Sequence, residues 1–272
     1  MRVGFLQTVP EFGEKERNLE RVAELLEGVS ADLLVLPELF STGYLFTDSK
    51  ELEALAEPFP GGPTSQFLAE IAARHDIALV AGVLEKEGSR YFNSAVAVEP
   101  GGSLEVYQKV HLFREEKRWF VPGTRFKIAR LKDVAVGLMI CFDWFFPESA
   151  RVLSLMGAQI LCHPSNLVLP HCQRAMVTRC LENRVFAITA NRAGMELRGG
   201  NHMAFTGASQ ITSRAGEVLL QGPDEGEGLG VVDIDPQQAL DKRLTPENDL
   251  FLDRNPECYK ILTDVSHGRA VS

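Results

Sequence analysis

The fold is decided by the stretch Val134-Ala-Val-Gly-Leu-Met-Ile-Cys-Phe-Asp-Trp-Phe-Phe-Pro-Glu-Ser149. Its first seven residues are continuously apolar, which is typical of a strand that is buried on both faces. Pro147 follows where a helix begins, because proline is favoured in the first helical turn. Cys141 therefore lies in the turn between a buried strand and a helix. A strand that passes directly into a helix in this way indicates a layered α/β fold.

Further strands and helices alternate on both sides of this stretch. Strands are predicted at residues 2–9, 31–36, 77–84, 91–98, 104–110, 159–163, 185–190, 208–212, 217–220 and 230–233, and helices at residues 14–28, 64–75 and 171–183. We predict a hairpin turn at residues 85–89, a flexible loop at residues 199–202, and a helix with a polar tail beyond Pro236. Some strands pair as hairpins and others precede helices, which predicts an α/β domain with mixed sheets.

The size and composition fit one globular domain. The chain has 272 residues, of which 45% are hydrophobic and 24% charged, as is ordinary for a folded protein. We see no linker or internal repeat. The sequence therefore predicts a single domain over residues 1–272, with a tail from about residue 245 that packs on the body or on a partner subunit.

The charge balance and the motif content exclude several function classes. The formal net charge is −9, whereas nucleic-acid binding needs clustered lysines and arginines. No glycine-rich phosphate-binding pattern follows a predicted strand, so we expect no nucleotide cofactor. The apolar run from Val134 is about half of the roughly 20 residues that span a bilayer, and we find no secretion signal. We therefore expect neither a nucleic-acid nor a membrane partner.

The five cysteines are dispersed, at positions 141, 162, 172, 180 and 258. A chain of this size needs no disulfides, so the pattern predicts reduced thiols in a cytoplasmic protein. A zinc-binding module that uses Cys162, His163, His171 and Cys172 is an alternative. Neighbouring residues on a strand point to opposite faces, so Cys162 and His163 do not reach one metal without a bend. We expect no metal.

Three reactive side chains each come at or just after the end of a predicted strand: Glu38, Lys109 and Cys141. Open α/β sheets place their ligands at such ends. Backbone N–H groups in the turn at Cys141 can lower a thiol pKa and hold an oxyanion. Apolar neighbours desolvate Glu38, which raises a carboxyl pKa toward the range of a general base. Lys109, also among apolar neighbours, can face a developing oxyanion.

Each of these residues also has a purely structural interpretation. Cys141 is alternatively a buried structural cysteine, Glu38 a capping or ion-paired acid, and Lys109 a surface lysine on an edge strand. Similarly, Arg174, Arg179 and Arg192 either meet an anionic substrate or a neighbouring subunit, or form ordinary ion pairs.

Taken together, the three positions match one specific pattern. Leu-Pro-Glu-Leu-Phe around Glu38, Lys-Val-His-Leu-Phe from Lys109, and Cys-Phe-Asp-Trp-Phe-Phe-Pro-Glu-Ser-Ala-Arg from Cys141 resemble, in order, the three signature motifs of the nitrilase (carbon–nitrogen hydrolase) superfamily. The resemblance covers essentially the whole chain. It implies a four-layer α-β-β-α sandwich with two mixed sheets, which forms dimers through helices.

The resemblance also implies roles for individual residues. Cys141 would be the nucleophile, Glu38 the general base and Lys109 the cation that stabilises the oxyanion. A second glutamate is expected shortly after the lysine, and Glu116 matches it, with the adjacent Glu115 as a rival. Further contacts to the substrate or the oxyanion are expected from Phe142, Tyr44 and Asn166.

The implied activity is hydrolysis of a non-peptide carbon–nitrogen bond through a cysteine thioester, without metal or organic cofactor. The aromatic residues Trp144, Phe145 and Phe146 predict a small, rather apolar pocket, which favours a small aliphatic amide or nitrile. An N-carbamoyl substrate is the alternative, although the arginines that usually accompany it after the cysteine motif are replaced here by these aromatics. A non-catalytic scaffold would have lost one of the three signature residues. We expect Cys141→Ala and Lys109→Ala to abolish turnover and leave the fold intact.

Overall fold

The computed structural model describes residues 1–264 of the chain and contains two six-stranded sheets and a separate hairpin. The strands are β1 (Arg2–Gln7), β2 (Leu33–Val35), β3 (Ala78–Glu87), β4 (Arg90–Val98), β5 (Leu104–Gln108), β6 (Lys127–Leu131), β7 (Val134–Leu138), β8 (Ile160–Ser165), β9 (Phe186–Asn191), β10 (Met195–Arg198), β11 (Asn201–Ala204), β12 (Gln210–Thr212), β13 (Val218–Gln221) and β14 (Gly228–Asp233). The helices are α1 (Lys15–Leu26), α2 (Ser49–Leu55), α3 (Pro63–His75), α4 (Glu116–Trp119), α5 (Pro147–Leu155) and α6 (Cys172–Asn183). Short 3₁₀ turns cover Cys141–Phe145, Pro236–Leu240 and Pro256–Leu262.

The two large sheets share one arrangement of strands. The order is β14-β1-β2-β3-β4-β5 in the first sheet and β13-β12-β9-β8-β7-β6 in the second. In each sheet three central strands run parallel, and the outer strands pair antiparallel. A parallel connection requires a crossover, and α1, α3, α5 and α6 lie in the four crossovers.

Side-chain alternation along β2 explains the layers. Leu33 and Val35 lie in the core between the sheets, in one cluster with Val136 and Ile160 of the second sheet. Leu34 points to the opposite face and packs in the cluster that contains α1 and α3. Helices α5 and α6 cover the outer face of the second sheet. The predicted four-layer α-β-β-α sandwich with two mixed sheets is therefore confirmed.

Three stretches differ from the sequence prediction. Strands β3 and β4 pair down to a two-residue turn at Gly88-Ser89, so the turn does not span residues 85–89. Residues 199–202 are not a flexible loop but part of the β10–β11 hairpin, whose two turn glycines have φ angles of 55° and 76°. Glycine adopts such angles without strain, which suits a tight hairpin. The sequence pattern does not predict β6 because charged residues interrupt it, as is common on an edge strand.

The chain divides into two compact units, Met1–Leu240 and Asp241–Ser272. The described part of the second unit contains a bridge between Arg243 and Asp249 and the last 3₁₀ turn. That the tail packs on the body or on a partner subunit stays a prediction, and residues 265–272 lie outside the described residues. Within residues 1–264 no helix has the length and apolar character that crossing a membrane requires.

Candidate active site

Four ionisable side chains from distant parts of the sequence lie in one buried cluster. Glu38 follows β2, Lys109 follows β5, Cys141 follows β7, and Glu116 begins α4. Each of the four residues is at most 6% exposed, and the charges of the other three all act on the Cys141 thiol. The ends of strands from both sheets therefore converge on one site, as the sequence motifs predict.

Lys109 lies between the two glutamates. Its Nζ donates hydrogen bonds to Glu38 Oε1 at 2.6 Å and to Glu116 Oε1 at 2.8 Å. Burial alone lowers the pKa of Lys109, but the carboxylates of Glu116 and Glu38 outweigh it and raise the pKa above its usual range. The side chain is therefore a permanent cation. An ammonium has three N–H donors, so one is left to face a bound molecule.

Glu38 has one satisfied and one free carboxylate oxygen. Oε1 accepts hydrogen bonds from Lys109 and from Asn93 Nδ2, each at 2.6 Å. Oε2 is buried and has no hydrogen-bond partner among residues 1–264. Burial raises the pKa of Glu38, which Lys109 partly opposes and Glu116 reinforces. A desolvated carboxylate with one free oxygen is suited to accept a proton.

The structure places Glu116, and not its neighbour Glu115, beside Lys109. Glu115 is exposed and forms an ion pair with Arg118 at 2.8 Å. Glu116 is 3% exposed, and its Oε2 accepts a hydrogen bond from the Phe113 N–H at 2.9 Å. Its Oε1 accepts one from the Tyr44 hydroxyl at 2.6 Å. The hydroxyl of Tyr44 is therefore directed at Glu116.

Cys141 occupies a strained position. It opens the 3₁₀ turn with φ of 38°, a left-handed conformation that residues other than glycine rarely adopt. Burial raises the pKa of its thiol well above the ordinary value and Glu38 adds to this effect, whereas Lys109 and the Asn166 backbone N–H lower it. The thiol therefore carries its proton at rest. Reaction as a thiolate requires a base.

Two buried side chains hold this turn: Asp143, which the sequence analysis did not single out, and His163, which it considered as a zinc ligand. Asp143 accepts hydrogen bonds from the Ile140 N–H at 2.9 Å and the Tyr107 hydroxyl at 2.8 Å. His163 Nε2 lies 2.8 Å from the Cys141 carbonyl oxygen. Burial lowers the pKa of His163 to about 4. A neutral His163 protonated on Nε2 donates to that carbonyl. For Asp143, the only signal in the sequence was its position as a charged residue within the aromatic run of residues 142–146.

A narrow cavity of about 10 Å³ lies against Cys141. It is lined by Phe113, Cys141, Phe142, Trp144, Asn166, Leu167, Val168 and Leu169. The lining is apolar apart from the thiol and Asn166, and of the three aromatic residues that predicted an apolar pocket only Trp144 belongs to it. Both amide atoms of Asn166 are buried without a hydrogen-bond partner in the described part of the chain. A space of this volume holds about one water molecule.

A larger cavity of about 200 Å³ is lined by Tyr44 and Glu116, whereas Glu38, Lys109 and Cys141 are not part of its lining. Its wall includes Phe46, Trp119 and Phe120, and its polar lining includes Arg114 and Arg118 at the surface. Its volume is about twenty times that of the cavity at Cys141.

The zinc-binding alternative does not fit the structure. Cys162 and Cys172 lie in the apolar core, whereas His171 is exposed. His163 uses its ring nitrogens for Thr189 and the Cys141 carbonyl. Within residues 1–264 no group of three or more His, Cys, Asp or Glu side chains is arranged to hold a metal ion.

Two of the three arginines with open interpretations form ion pairs, and the third, Arg174, is exposed. Arg179 contacts Glu182 one helical turn away at 3.1 Å. Arg192 is buried and pairs with Glu196. The ion-pair interpretation therefore accounts for both side chains.

The fold and the cluster together define a class of protein: an α-β-β-α sandwich with a buried glutamate, lysine and cysteine at its strand ends. The sequence profile described as Carbon-nitrogen hydrolase matches residues 2–243. The chain belongs to this family, and it is a hydrolase of non-peptide carbon–nitrogen bonds.

Several curated relatives match nearly the whole chain. A nitrilase from Pyrococcus abyssi is 43% identical over 95% of this chain and 99% of its own. An (R)-stereoselective amidase from a Pseudomonas species is 33% identical, covering 88% and 87%. An N-carbamoylputrescine amidase from Solanum lycopersicum is 29% identical, covering 89% and 87%.

Solved structures have the same fold. A carbon–nitrogen hydrolase from Helicobacter pylori G27 superposes with a TM-score of 0.88 at 28% identity, over 96% of this chain and 97% of its own. An amidase from Nesterenkonia sp. AN1 superposes with a TM-score of 0.79 at 27% identity, over 96% and 99%. In that structure, a glutamate-to-glutamine mutant, acrylamide has added to the active-site cysteine.

Proposed function

We propose that the protein hydrolyses small amides to a carboxylate and ammonia through a thioester on Cys141. The observation that carries this proposal is the free, buried Oε2 of Glu38 in a cluster with Lys109 and a protonated Cys141 thiol. A base, a fixed cation and a nucleophile are the three groups that acyl transfer requires. The acrylamide adduct on the active-site cysteine of the Nesterenkonia amidase supports the same role for Cys141.

Acylation begins when Glu38 takes the thiol proton and the sulfur of Cys141 attacks the carbonyl carbon. A C–S bond forms, and the carbonyl electron pair moves to the oxygen, which faces the third N–H of Lys109. Glu38 returns its proton to the substrate nitrogen. The C–N bond then breaks, ammonia leaves and the thioester remains.

Deacylation repeats these steps with water. Glu38 takes a proton from water, the hydroxide oxygen attacks the thioester carbon, and the C–S bond breaks. The leaving sulfur recovers the proton from Glu38. Glu116 holds Lys109 in place through both half-reactions, because it accepts from Nζ while Tyr44 and the Phe113 N–H fix its two oxygens.

Asn166 favours an amide over a nitrile as the substrate. Its side chain has both a donor and an acceptor, and both are buried beside Cys141 without a partner in the described chain. A carboxamide presents a complementary acceptor and donor, whereas a nitrile presents only an acceptor. The nitrile would leave the Asn166 oxygen unpaired at a cost of about 1–3 kcal/mol. An N-carbamoyl group also presents both, so it is the second candidate substrate.

We also propose a homodimer in a reducing, cytoplasmic setting. The exposed sides of α5 and α6 carry a group of apolar side chains: Val152, Leu155, Met156 and Leu181. A second copy of the chain that packs on this group would remove its apolar surface from water. The compartment is supported by the five cysteines, all of which are free thiols.

Ammonia release from a panel of short amides, nitriles and N-carbamoyl amino acids tests this function. We expect release from amides by the parent protein and none by Cys141→Ala. Cys162→Ala is a matched control, since Cys162 is also a buried thiol but its pKa is raised by burial alone, without the charges of the cluster. Nitrile turnover exceeding amide turnover would contradict the role of Asn166. Release that persists in Cys141→Ala would contradict the mechanism.

A further inference from the structure

A second buried ion pair lies next to the catalytic cluster. Arg192 and Glu196 are 1% and 4% exposed at their side chains and pair with each other. The Arg192 guanidinium also donates to the Pro10 carbonyl at 3.0 Å and lies 4.0 Å from the ring centroid of Phe205. Burying two charges costs several kcal/mol per ion, so such a pair needs compensating contacts.

The Glu196 carboxylate supplies those contacts to one loop. Oε1 accepts from the Tyr44 N–H at 3.1 Å, and Oε2 accepts from the Leu45 N–H at 2.7 Å. The loop approaches so closely that a Cβ on Gly43 would lie 3.1 Å from Glu196 Oε1, and Gly43 has φ of 82°. The ion pair therefore fixes the backbone on both sides of Tyr44.

The Tyr44 side chain connects this loop to the catalytic cluster. Its hydroxyl donates to Glu116 Oε1 at 2.6 Å, the oxygen that also accepts from Lys109 at 2.8 Å. Its ring meets Phe205 edge to face at 6.0 Å, so Phe205 contacts both Tyr44 and the Arg192 guanidinium. An unbroken series of contacts runs from Arg192 through Glu196 and Tyr44 to Lys109.

We infer that the Arg192–Glu196 pair is a positioning device that holds Tyr44, and through Tyr44 holds Glu116 and Lys109 in the geometry that catalysis requires. The inference rests on the proposed function, because it assigns Lys109 to the oxyanion. A shift of about 1 Å in a catalytic group can cost about 100-fold in rate. A pair that fixes the supporting loop therefore affects kcat and not only stability.

The structural alternative is that the pair stabilises the fold alone, and the chain contains a matched control. Lys15 and Glu57 form another largely buried ion pair, and Glu57 likewise accepts a backbone N–H, from Thr64 at 2.7 Å. The Glu57 carboxylate bonds to Lys15 and Thr64, neither of which belongs to the catalytic cluster. Glu57→Gln therefore shows how much stability is lost when a buried carboxylate outside the catalytic cluster is removed.

The test compares Glu196→Gln, Tyr44→Phe, their double mutant and Glu57→Gln. Glutamine keeps the shape of Glu196 but replaces one carboxylate oxygen with an NH₂ group. This donor would face the backbone N–H groups of the loop, which are also donors, so a hydrogen bond to the loop is lost. Two rates are measured in a Cys258→Ser background: amide turnover, and alkylation of Cys141 by iodoacetamide followed by peptide mass. Alkylation needs no substrate, so it separates failure of this inference from failure of the proposed function.

We expect Glu196→Gln and Tyr44→Phe each to lower kcat and the alkylation rate by about tenfold or more, with KM within about twofold. The double mutant should be no slower than the slower single mutant, because both act through one contact. Glu57→Gln should lower only the melting temperature. If Glu196→Gln does not fold, Arg192→Lys replaces it under the same criteria.

Unchanged rates in folded Glu196→Gln, or losses that multiply in the double mutant, would overturn the inference. A parent protein whose Cys141 neither turns over an amide nor reacts with iodoacetamide would overturn the proposed function, and this inference with it.

Discussion

Lys109 is enclosed by Glu38 and Glu116, so one positive charge compensates two buried carboxylates. Buried charges persist only when they are paired and hydrogen-bonded, and removing one partner leaves the other with its full desolvation cost. The cluster therefore couples catalysis to stability. The expectation from sequence, that Lys109→Ala leaves the fold intact, does not account for this burial.

We predict that Lys109→Ala lowers the free energy of unfolding by about 3–5 kcal/mol and lowers turnover by about 100-fold or more. Urea unfolding and ammonia release measure the two effects. Lys127→Ala is the control, because Lys127 pairs with Glu105 at the surface and should cost no more than about 1 kcal/mol. Equal stability of the two variants would contradict the burial argument.

The pH dependence of activity should report Glu38. Glu38 acts as a base only when ionised, and burial raises its pKa. Activity should therefore fall as the pH is lowered through a value above the ordinary glutamate pKa of about 4.3. The Asn93 hydrogen bond lowers the pKa of Glu38, so Asn93→Ala should move the acid limb of kcat/KM to higher pH. Movement to lower pH would argue against Glu38 as the base.

Secondary-structure elements carry the catalytic groups with little freedom, and the approach of β3 to the Glu38 backbone illustrates this. A Cβ on Gly82 would overlap the Glu38 Cα and lie 2.9 Å from the Pro37 carbonyl oxygen. Gly82 also donates its N–H to that oxygen at 3.0 Å. Glycine is required here because the strand and the catalytic loop are in direct backbone contact.

Gly82→Ala should therefore displace Glu38. We predict a loss of about 1–3 kcal/mol in stability and of about 100-fold in kcat/KM. Gly101→Ala is the matched control, because no atom lies within 4 Å of the Cβ position at Gly101. Thermal unfolding and amide turnover measure both variants. A fully active Gly82→Ala protein would show that Glu38 does not depend on this contact.

Sequence patterns predicted the elements and the residues at their ends, because apolar periodicity and chain direction are local properties. They did not predict Asn93, Tyr107 or the Arg192–Glu196 pair as parts of the site. Asn93 meets Glu38 across 55 positions and Tyr107 meets Asp143 across 36. The first contact depends on which strands neighbour each other in one sheet, and the second on how the two sheets face each other. No local pattern contains either. The choice of Glu116 over Glu115 likewise depended on burial.

The surface of the molecule leads to a prediction about assembly. The exposed apolar residues Val152 and Leu155 lie on α5, Met156 directly follows it, and Leu181 lies on α6. We predict a particle of twice the chain mass of 30.1 kDa by light scattering. Met156→Glu should shift the mass toward that of the monomer, because it buries a charge in the interface. Leu197→Glu, at an exposed position on β10, should not. A monomeric parent protein would contradict the proposed dimer.

The central claim concerns the whole reaction, and the mass of the Cys141 peptide during turnover tests it most directly. The protein is mixed with an amide that it hydrolyses and quenched in acid within the first turnover. It is then digested, and the mass of the Cys141 peptide is measured by mass spectrometry. The mechanism predicts that the Cys141 peptide gains the mass of the substrate minus ammonia, and that Cys141→Ala releases no ammonia. Ammonia release without this adduct, or an adduct on any other residue, would contradict the claim.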